Sequence, residues 1–192
     1  VDGDVSGHHG AANFPDIWIV KINAAGVMEW EKSLGGSRFE RYPTIITTSD
    51  GGYILTGEAD SNDGDVSGHH GASDIWVVKL TSSGTIQWQK CYGGSDYELV
   101  SCIRQTIDGG YIMTGYTNSN NGDVSGRHGS NDIWVVKLSS VGTISSGTIS
   151  LTTDIKTSGK IIAGAITYPN THNSTAGQLL SIDGNGTARS EE

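Results

Sequence analysis

One stretch of sequence occurs three times in this chain of 192 residues and limits what the chain can fold into. Each copy is a polar, glycine-rich loop that runs into an apolar, β-branched strand, as in DGDVSGHHGASDIWVVKL over residues 63–80. The tryptophan of its DIW motif recurs at two equal steps, as Trp18, Trp76 and Trp134. A fixed period of this kind predicts a repeat architecture, in which each repeat is one supersecondary unit that packs against its neighbours.

Each full repeat carries four strand patterns separated by glycine-containing turns. In the second repeat they read DIWVVKL, TIQWQKCY, LVSCIRQT and YIMTGYT, at residues 74–80, 85–92, 99–106 and 111–117. Short runs rich in Val, Ile, Thr and aromatic residues favour strands, and no stretch shows the 3.6-residue period of an amphipathic helix. The sequence therefore predicts an all-β fold of tandem four-stranded antiparallel units that resemble β-propeller blades.

The repeat boundaries follow from the same period. We expect one repeat β domain over 1–192, with repeat 1 at 1–59, repeat 2 at 60–117, a shortened repeat 3 at 118–168 and a degenerate partial repeat 4 at 169–192. In repeat 4 the pattern QLLSID at 178–183 retains one strand. The polar loop accounts for the length by which the period exceeds that of common blades, and we interpret it as an insertion between blades.

The number of repeats bears on how the sheets are completed. So few blades predict a small ring, or an incomplete ring or arc that other repeats or subunits complete, because free strand edges are seldom tolerated. The chain opens and ends inside a repeat, and we expect it to be a processed chain or a piece of a longer protein. Completion by subunits predicts a homo-oligomer or polymer formed by head-to-tail strand or blade completion.

Charge and motifs exclude several function classes. The formal net charge of −9 argues against nucleic acid as a partner, since binding to phosphates requires clustered Lys and Arg. No apolar run approaches the length of about 20 residues that spans a membrane. We find no catalytic motif, and no acid/base pair can be argued from the carboxylates outside the loops, Glu29, Glu31, Glu40 and Glu98. The sequence predicts a protein that is not an enzyme.

The polar loop carries oxygen-bearing residues at regular spacing. Counted from Asp63 as position 1, Asp65 and Ser67 stand at positions 3 and 5, Gly68 at position 6 and Asp74 at position 12. This resembles the EF-hand calcium loop without its helices, with Ser at position 5 and Asp instead of Glu at position 12. Position 7 would ligate through its backbone carbonyl. The predicted Ca²⁺ ligands of up to three sites are Asp2, Asp4, Ser6, His8 and Asp16; Asp63, Asp65, Ser67, His69 and Asp74; and Asn121, Asp123, Ser125, Arg127 and Asp132.

Several features of the loops allow more than one interpretation. In the first loop Asn13 stands at position 12 by count, but Asp16 is the equivalent of Asp74 when the DIW motifs are aligned, and we predict Asp16. Asp-Gly and Ser-Gly steps also form turns through local hydrogen bonds without a metal. We interpret the histidines as surface or turn residues rather than zinc ligands, because adjacent residues point in different directions.

The tryptophans and cysteines are open to two interpretations each. Tryptophans that recur with the repeat are typical of the core between sheets, whereas exposed Trp30 and Trp88 would indicate sugar binding. Cys91 and Cys102 fall on successive predicted strands, where either a cross-strand disulfide or two buried free thiols would fit.

The units SDGGYILTGEADSNDGDVSGHHGASDIWVVKLTSSGTIQWQKCYGGS resemble the tandem repeats of large secreted and cell-surface proteins of Bacteroidota. The resemblance covers residues 1–138 best. It implies export, associated in that family with type IX secretion, together with a β-propeller-type repeat fold and calcium loops. We therefore expect a secreted, calcium-stabilised structural or adhesive protein of the cell surface that can assemble into a filament. The alternative is a carbohydrate-binding module with glycans as partners, and a polysaccharide-degrading enzyme is the least favoured.

Overall fold

The structure is a computed structural model that describes residues 5–11, 13–145, 180–182 and 188–190. The chain divides into two compact units, residues 1–146 and 147–192. Within the described residues every regular element is a β-strand and no helix occurs, which confirms the all-β prediction. The described part of the chain thus has no helix long and apolar enough to cross a membrane.

The described residues of the first unit form nine antiparallel strands in three sheets. They are β1 Ile17–Ile22, β2 Met28–Leu34, β3 Glu40–Thr47, β4 Tyr53–Ala59, β5 Asp74–Leu80, β6 Ile86–Tyr92, β7 Glu98–Gln105, β8 Tyr111–Thr117 and β9 Asp132–Leu138. The sheet orders are β1-β2, β3-β4-β5-β6 and β7-β8-β9. These bounds lie close to the strand patterns in the sequence, because alternation and β-branched residues are local signals.

The polar loop connects two neighbouring strands of one sheet and does not connect one sheet to the next. Strands β4 and β5 pair in continuous antiparallel register from Tyr53↔Leu80 to Ala59↔Asp74, and the loop over residues 60–73 connects them. Strands β8 and β9 are joined in the same way over residues 118–131. The interpretation of the loop as an insertion between blades is therefore wrong. A sequence period is the same wherever the unit boundary is drawn, so it does not reveal which strands share a sheet.

Two hydrophobic cores fill the spaces between the three sheets, and β5 contributes to both. Its residues Trp76, Val78 and Leu80 lie in core 1, which also contains residues of β1 and β2. Its residues Ile75 and Val77 point to the opposite face, as alternation along a strand requires, and lie in core 2 with residues of β7, β8 and β9. Strand β5 is consequently buried on both faces, which explains its uninterrupted apolar sequence.

The tryptophans differ in burial from repeat to repeat, Trp30 and Trp88 are half-buried, and the two cysteines are not bonded to each other. Trp76 is fully buried, as expected for a core residue, whereas its counterpart Trp18 is 43% exposed. Cys91 lies on β6 and Cys102 on β7, in different sheets, and both are free thiols. Burial raises the pKa of the Cys91 thiol well above its ordinary range.

The second unit is described only at two short strands. Strand β10, Leu180–Ile182, pairs with β11, Ala188–Ser190, in antiparallel register. Strand β10 falls within the QLLSID pattern predicted for repeat 4. The predicted shortening of repeat 3 beyond residue 145 lies outside the described residues.

Candidate functional site

The candidate site is formed by the polar loops and the short segments against which they lie. Loop 1 covers residues 5–16, loop 2 residues 60–73 and loop 3 residues 118–131. Linker 1, residues 35–39, connects the β1-β2 sheet to the β3–β6 sheet, and linker 2, residues 93–97, connects that sheet to the β7–β9 sheet. Loop 2 lies against linker 1 and loop 3 against linker 2, so each loop contacts the chain where it passes between sheets.

Loop 2 binds linker 1 through the residues at its positions 1 and 3. Asp63 Oδ1 accepts a hydrogen bond from Ser37 N at 2.7 Å. Asp65 N donates to Gly35 O at 2.9 Å, and Asp65 Oδ2 accepts from Gly35 N at 3.4 Å. The amide of Ser37 lowers the pKa of Asp63, because the hydrogen bond favours the ionised carboxylate.

Loop 3 makes the same contacts with linker 2, one repeat further along the chain. Asn121 Oδ1 accepts from Ser95 N at 2.9 Å, Asp123 N donates to Gly93 O at 2.9 Å, and Asp123 Oδ2 accepts from Gly93 N at 3.3 Å. An amide oxygen at position 1 thus takes the role of a carboxylate oxygen. Since Asn and Asp serve equally, the interaction at position 1 needs an acceptor rather than a negative charge.

The aspartate at position 12 binds a histidine of its own loop. Asp74 Oδ2 accepts from His70 N at 2.9 Å and lies 2.7 Å from His70 Nδ1. Asp16 Oδ2 has the same relation to His9, with both distances at 2.9 Å. Asp16 rather than Asn13 is therefore the structural counterpart of Asp74. In loop 3 Asp132 Oδ2 accepts from the amide of the corresponding histidine, His128, at 2.7 Å.

The second oxygen of Asp16 and of Asp74 is buried beside a glutamate. Asp16 Oδ1 and Asp74 Oδ1 have no hydrogen-bond partner within the part of the chain that the structure describes. Glu40 Oε2 accepts from Gly36 N at 2.8 Å, and a Cβ on Gly35 would lie 2.6 Å from Glu40 Oε2 and 2.7 Å from Asp16 Oδ1. The linker glycine thus makes room for two carboxylates.

The same arrangement occurs at linker 2 with Asp74 and Glu98. Glu98 Oε2 accepts from Gly94 N at 2.9 Å, and Asp74 Oδ1 would lie 2.9 Å from a Cβ on Gly93. Burial raises the pKa of Asp74. At linker 1, burial raises the pKa of Glu40, and the negative charge of Asp16 adds to the increase.

The residues at positions 5 and 7 have other partners. Ser67 Oγ accepts from Gln89 Nε2 at 2.5 Å, and in loop 1 Ser6 donates to Glu31, the counterpart of Gln89. His8 Nε2 lies 2.8 Å from the carbonyl oxygen of Phe14. Arg127 Nη1 donates to Ser130 O at 3.0 Å, and the amide of the half-buried His69 donates to Asn62 Oδ1 at 3.3 Å. Ser125 is exposed.

These contacts test how well the loops fit a calcium ion. The predicted side-chain ligands of loop 2 accept hydrogen bonds from four different residues. Asp63 accepts from Ser37, Asp65 from Gly35, Ser67 from Gln89 and Asp74 from His70. Among residues 5–11 and 13–145, no group of three or more His, Cys, Asp or Glu is placed to hold a metal ion. The predicted ligands Asp2 and Asp4 lie outside the described residues. Calcium binding by the loops therefore stays a prediction.

Sequence reasoning did not identify the second histidine of each loop or the buried glutamates as parts of the site. Their signal was present in the period, because Gly35 and Gly93 are separated by one repeat, as are Glu40 and Glu98. Residues that recur with the repeat but lie outside the loop were thus the signal for the contacts with the linkers.

No family model matches the chain, and no curated protein matches it significantly.

Proposed function

We propose that this chain is an exported structural and adhesive repeat protein of the cell surface, in which the sheets act as propeller-like blades. The observation that carries the proposal is the recurrence of one hydrogen-bond pattern at linkers 1 and 2. The polar side chains of loops 2 and 3 are used to hold the chain where it passes between sheets. Hydrogen bonds that fix the linkers between sheets support a mechanical role.

The chemistry of the loops agrees with that role. A hydrogen bond inside a protein contributes about 1 kcal/mol, and the contribution is larger when the acceptor is charged. The carboxylates of loop 2 accept from backbone amides, and those of Asp16 and Asp74 accept from histidines. Side chains held in this way order the loops and linkers, and this order is what a load-bearing surface protein requires.

The proposed role is tested by the location of the protein and the phenotype of its loss. An antibody against the purified chain should label intact source cells as strongly as permeabilised ones. A strain that lacks the protein should attach less well to surfaces or neighbouring cells, and attachment should return when the gene is restored. Labelling that requires permeabilisation would contradict export, and unchanged attachment would contradict the adhesive role.

Calcium binding by the loops is proposed separately, because the structural role does not depend on it. Calcium would have to compete with the amides of Ser37 and Gly35 for the carboxylates of loop 2. Titration calorimetry with calcium, and with magnesium as the control, tests this directly. Binding heat that is lost in Asp65→Ala would support a site in loop 2, and the absence of binding heat would reject it.

Glycan binding is the second candidate function, and a surface recess favours it. Tyr97, Tyr116, Asn118 and Asn131 line a recess of about 270 Å³ together with Leu99. Exposed aromatic rings beside amide groups are suited to recognising sugars. A glycan array should show binding that Tyr97→Ala abolishes and that Tyr42→Ala, a change at an exposed tyrosine elsewhere, leaves intact. An array without signal would reject this candidate.

A further inference from the structure

Two faces of the stacked sheets are exposed, and each has a buried counterpart elsewhere in the chain. The head face is the side of β1 that carries Trp18, Val20 and Ile22. The tail face is the side of the β7–β9 sheet that carries Ile133 and Val135. Among the described residues of the first unit both faces carry exposed apolar side chains, and on the head face Glu31 of β2 lies opposite Val20.

The head face corresponds to a surface that is buried in core 1. The residues one repeat after those of the head face are Trp76, Val78 and Leu80, and all three are fully buried. They pack with residues of the β1-β2 sheet, among them Ile17. Trp18 is 43% exposed, whereas Trp76 is 0% exposed. The head face thus has the composition of a sheet face that is normally covered by another sheet.

The tail face corresponds to the sheet surface that packs against a head-type surface inside the chain. The counterparts of Ile133 and Val135 are Ile75 and Val77, which are buried in core 2 by the next sheet. Ile133 is 73% exposed, whereas Ile75 is 1% exposed. Cross-strand pairing places two more exposed apolar residues in a row with Ile133, namely Tyr116 and Leu99.

We propose that the head face of one copy of this chain docks onto the tail face of a second copy. Inside the chain, a surface of the head type meets one of the tail type twice, once in core 1 and once in core 2. Docking between copies would make the same kind of contact a third time and remove both exposed apolar faces from water. Because the two faces differ, the association is head-to-tail and forms rings or filaments rather than closed symmetric dimers.

The proposal goes beyond a structural role, since it names the partner and both surfaces. It also predicts a response to salt. Each copy carries a formal net charge of −9, so that two copies repel each other at low ionic strength. The apolar contact itself does not weaken as salt is added. Association should therefore increase with salt concentration.

Sedimentation velocity of the full chain over a wide range of concentrations tests the proposal. The wild-type sedimentation coefficient should rise with concentration, and the rise should be lost in Ile22→Glu at the head face and in Ile133→Glu at the tail face. Ile107→Glu adds the same charge at a fully exposed turn outside both faces and should leave the rise intact. Circular dichroism checks that each variant is folded, and Val20→Lys and Val135→Lys serve as a second pair if one is not.

Mixing the two variants gives the decisive result. Each retains one intact face, so an equimolar mixture of Ile22→Glu and Ile133→Glu should form a dimer that does not grow further. A wild-type chain that stays monomeric would overturn the proposal. Association that survives both folded variants, or a mixture that stays monomeric, would overturn it as well. These results are independent of where the protein is located in the cell.

Discussion

Gly93 and Asp123 hydrogen-bond to each other in both directions across 30 positions of the chain. The amide of Gly93 donates to Asp123 Oδ2 at 3.3 Å, and the amide of Asp123 donates to Gly93 O at 2.9 Å. Gly35 and Asp65 form the same reciprocal pair at linker 1. Each pair joins a linker between two sheets to the loop that connects two strands of the following sheet, and it thereby couples the position of one sheet to the next.

The two position-1 residues predict how Asp63 can be changed. Asn121 makes in loop 3 the hydrogen bond that Asp63 makes in loop 2, so Asp63→Asn should retain the bond to Ser37 N. Asp63→Ala removes the carboxylate and leaves the Ser37 amide without this hydrogen-bond acceptor. We expect Asp63→Ala to lower the unfolding temperature by about 2–4 °C and Asp63→Asn to change it little. Thermal unfolding of the two variants beside the wild type measures the difference.

The same variants separate amide binding from calcium binding when unfolding is measured in calcium and in chelator. If the role of Asp63 is to bind the linker amide, the effect of Asp63→Ala is equal in both conditions. If calcium orders loop 2, then Asp63→Ala and Asp65→Ala lower the unfolding temperature in calcium and do little in chelator. Equal shifts in both conditions would contradict the calcium prediction, and a shift confined to calcium would contradict the amide role.

Gly93 should not tolerate a side chain. A Cβ at this position would contact Glu98 Oε2 directly and lie 2.9 Å from Asp74 Oδ1, and both residues are buried. We expect Gly93→Ala to cost about 1–3 kcal/mol of unfolding free energy, which is typical of overpacking. Urea denaturation measures the cost. Gly129→Ala is the matched control, because its Cβ would have no neighbour nearer than 3.9 Å, and a comparable loss there would contradict the explanation.

The strands could be predicted from the sequence, whereas their assignment to sheets could not. The alternation in β5 and the Val and Ile residues in it are local signals, and the observed strand has the predicted bounds. The pairing of β4 with β5 across loop 2 depends on contacts between distant residues. The repeat period is equally compatible with a four-stranded sheet that begins at β1 and with one that begins at β3. In the structure the four-stranded sheet begins at β3.

The site could be predicted in part for a related reason. The sequence predicts Asp63 and Asp65 as calcium ligands, and in the structure their carboxylates accept hydrogen bonds from backbone amides. Their donors, however, are amides of residues 35–37, and a backbone amide has no signature in the sequence. A regular spacing of oxygen atoms is compatible both with one central ion and with a row of amides, because both require the same atoms. Only the fold shows which donors are within reach.

Trp30 should stabilise the contact between the first two sheets rather than bind a sugar. Its ring packs edge-on against Tyr53 at 5.8 Å between centroids, and its indole N–H donates to Ser82 O at 3.2 Å. A Cβ on Gly84 would lie 3.0 Å from the same ring, so the turn that carries Gly84 is in close contact with it.

We expect Trp30→Ala to cost about 2–3 kcal/mol of unfolding free energy, less than a fully buried tryptophan, because Trp30 is only half-buried. Trp30→Phe retains a ring against Tyr53 and should cost less. Chemical denaturation measures both. If Trp30→Ala left stability unchanged but removed binding to a glycan array, the packing role would be refuted in favour of sugar recognition.

Glu40 should make the stability of the protein decrease as the pH rises. Burial raises its pKa above the ordinary value of 4.5, and the charge of Asp16 adds to the increase. The folded protein therefore holds the proton of Glu40 more tightly than the unfolded chain does. As the pH rises from 4.5 towards the raised pKa, the unfolded chain loses this proton first, and the free energy of unfolding falls.

The variant Glu40→Gln has no ionisable group at this position, so its free energy of unfolding should lack this decrease with pH. Compared with the wild type, it should gain stability as the pH rises through that interval, measured by urea denaturation in chelator at a series of pH values. Asp50→Asn is a control of opposite sign, because the ammonium of Lys79 lowers the pKa of Asp50, and this interaction is lost as the pH falls below 3.8. Asp50→Asn should thus be destabilising at neutral pH and lose its effect in acid. A Glu40→Gln curve that runs parallel to the wild type would show that Glu40 ionises equally in both states and would refute the role of its burial.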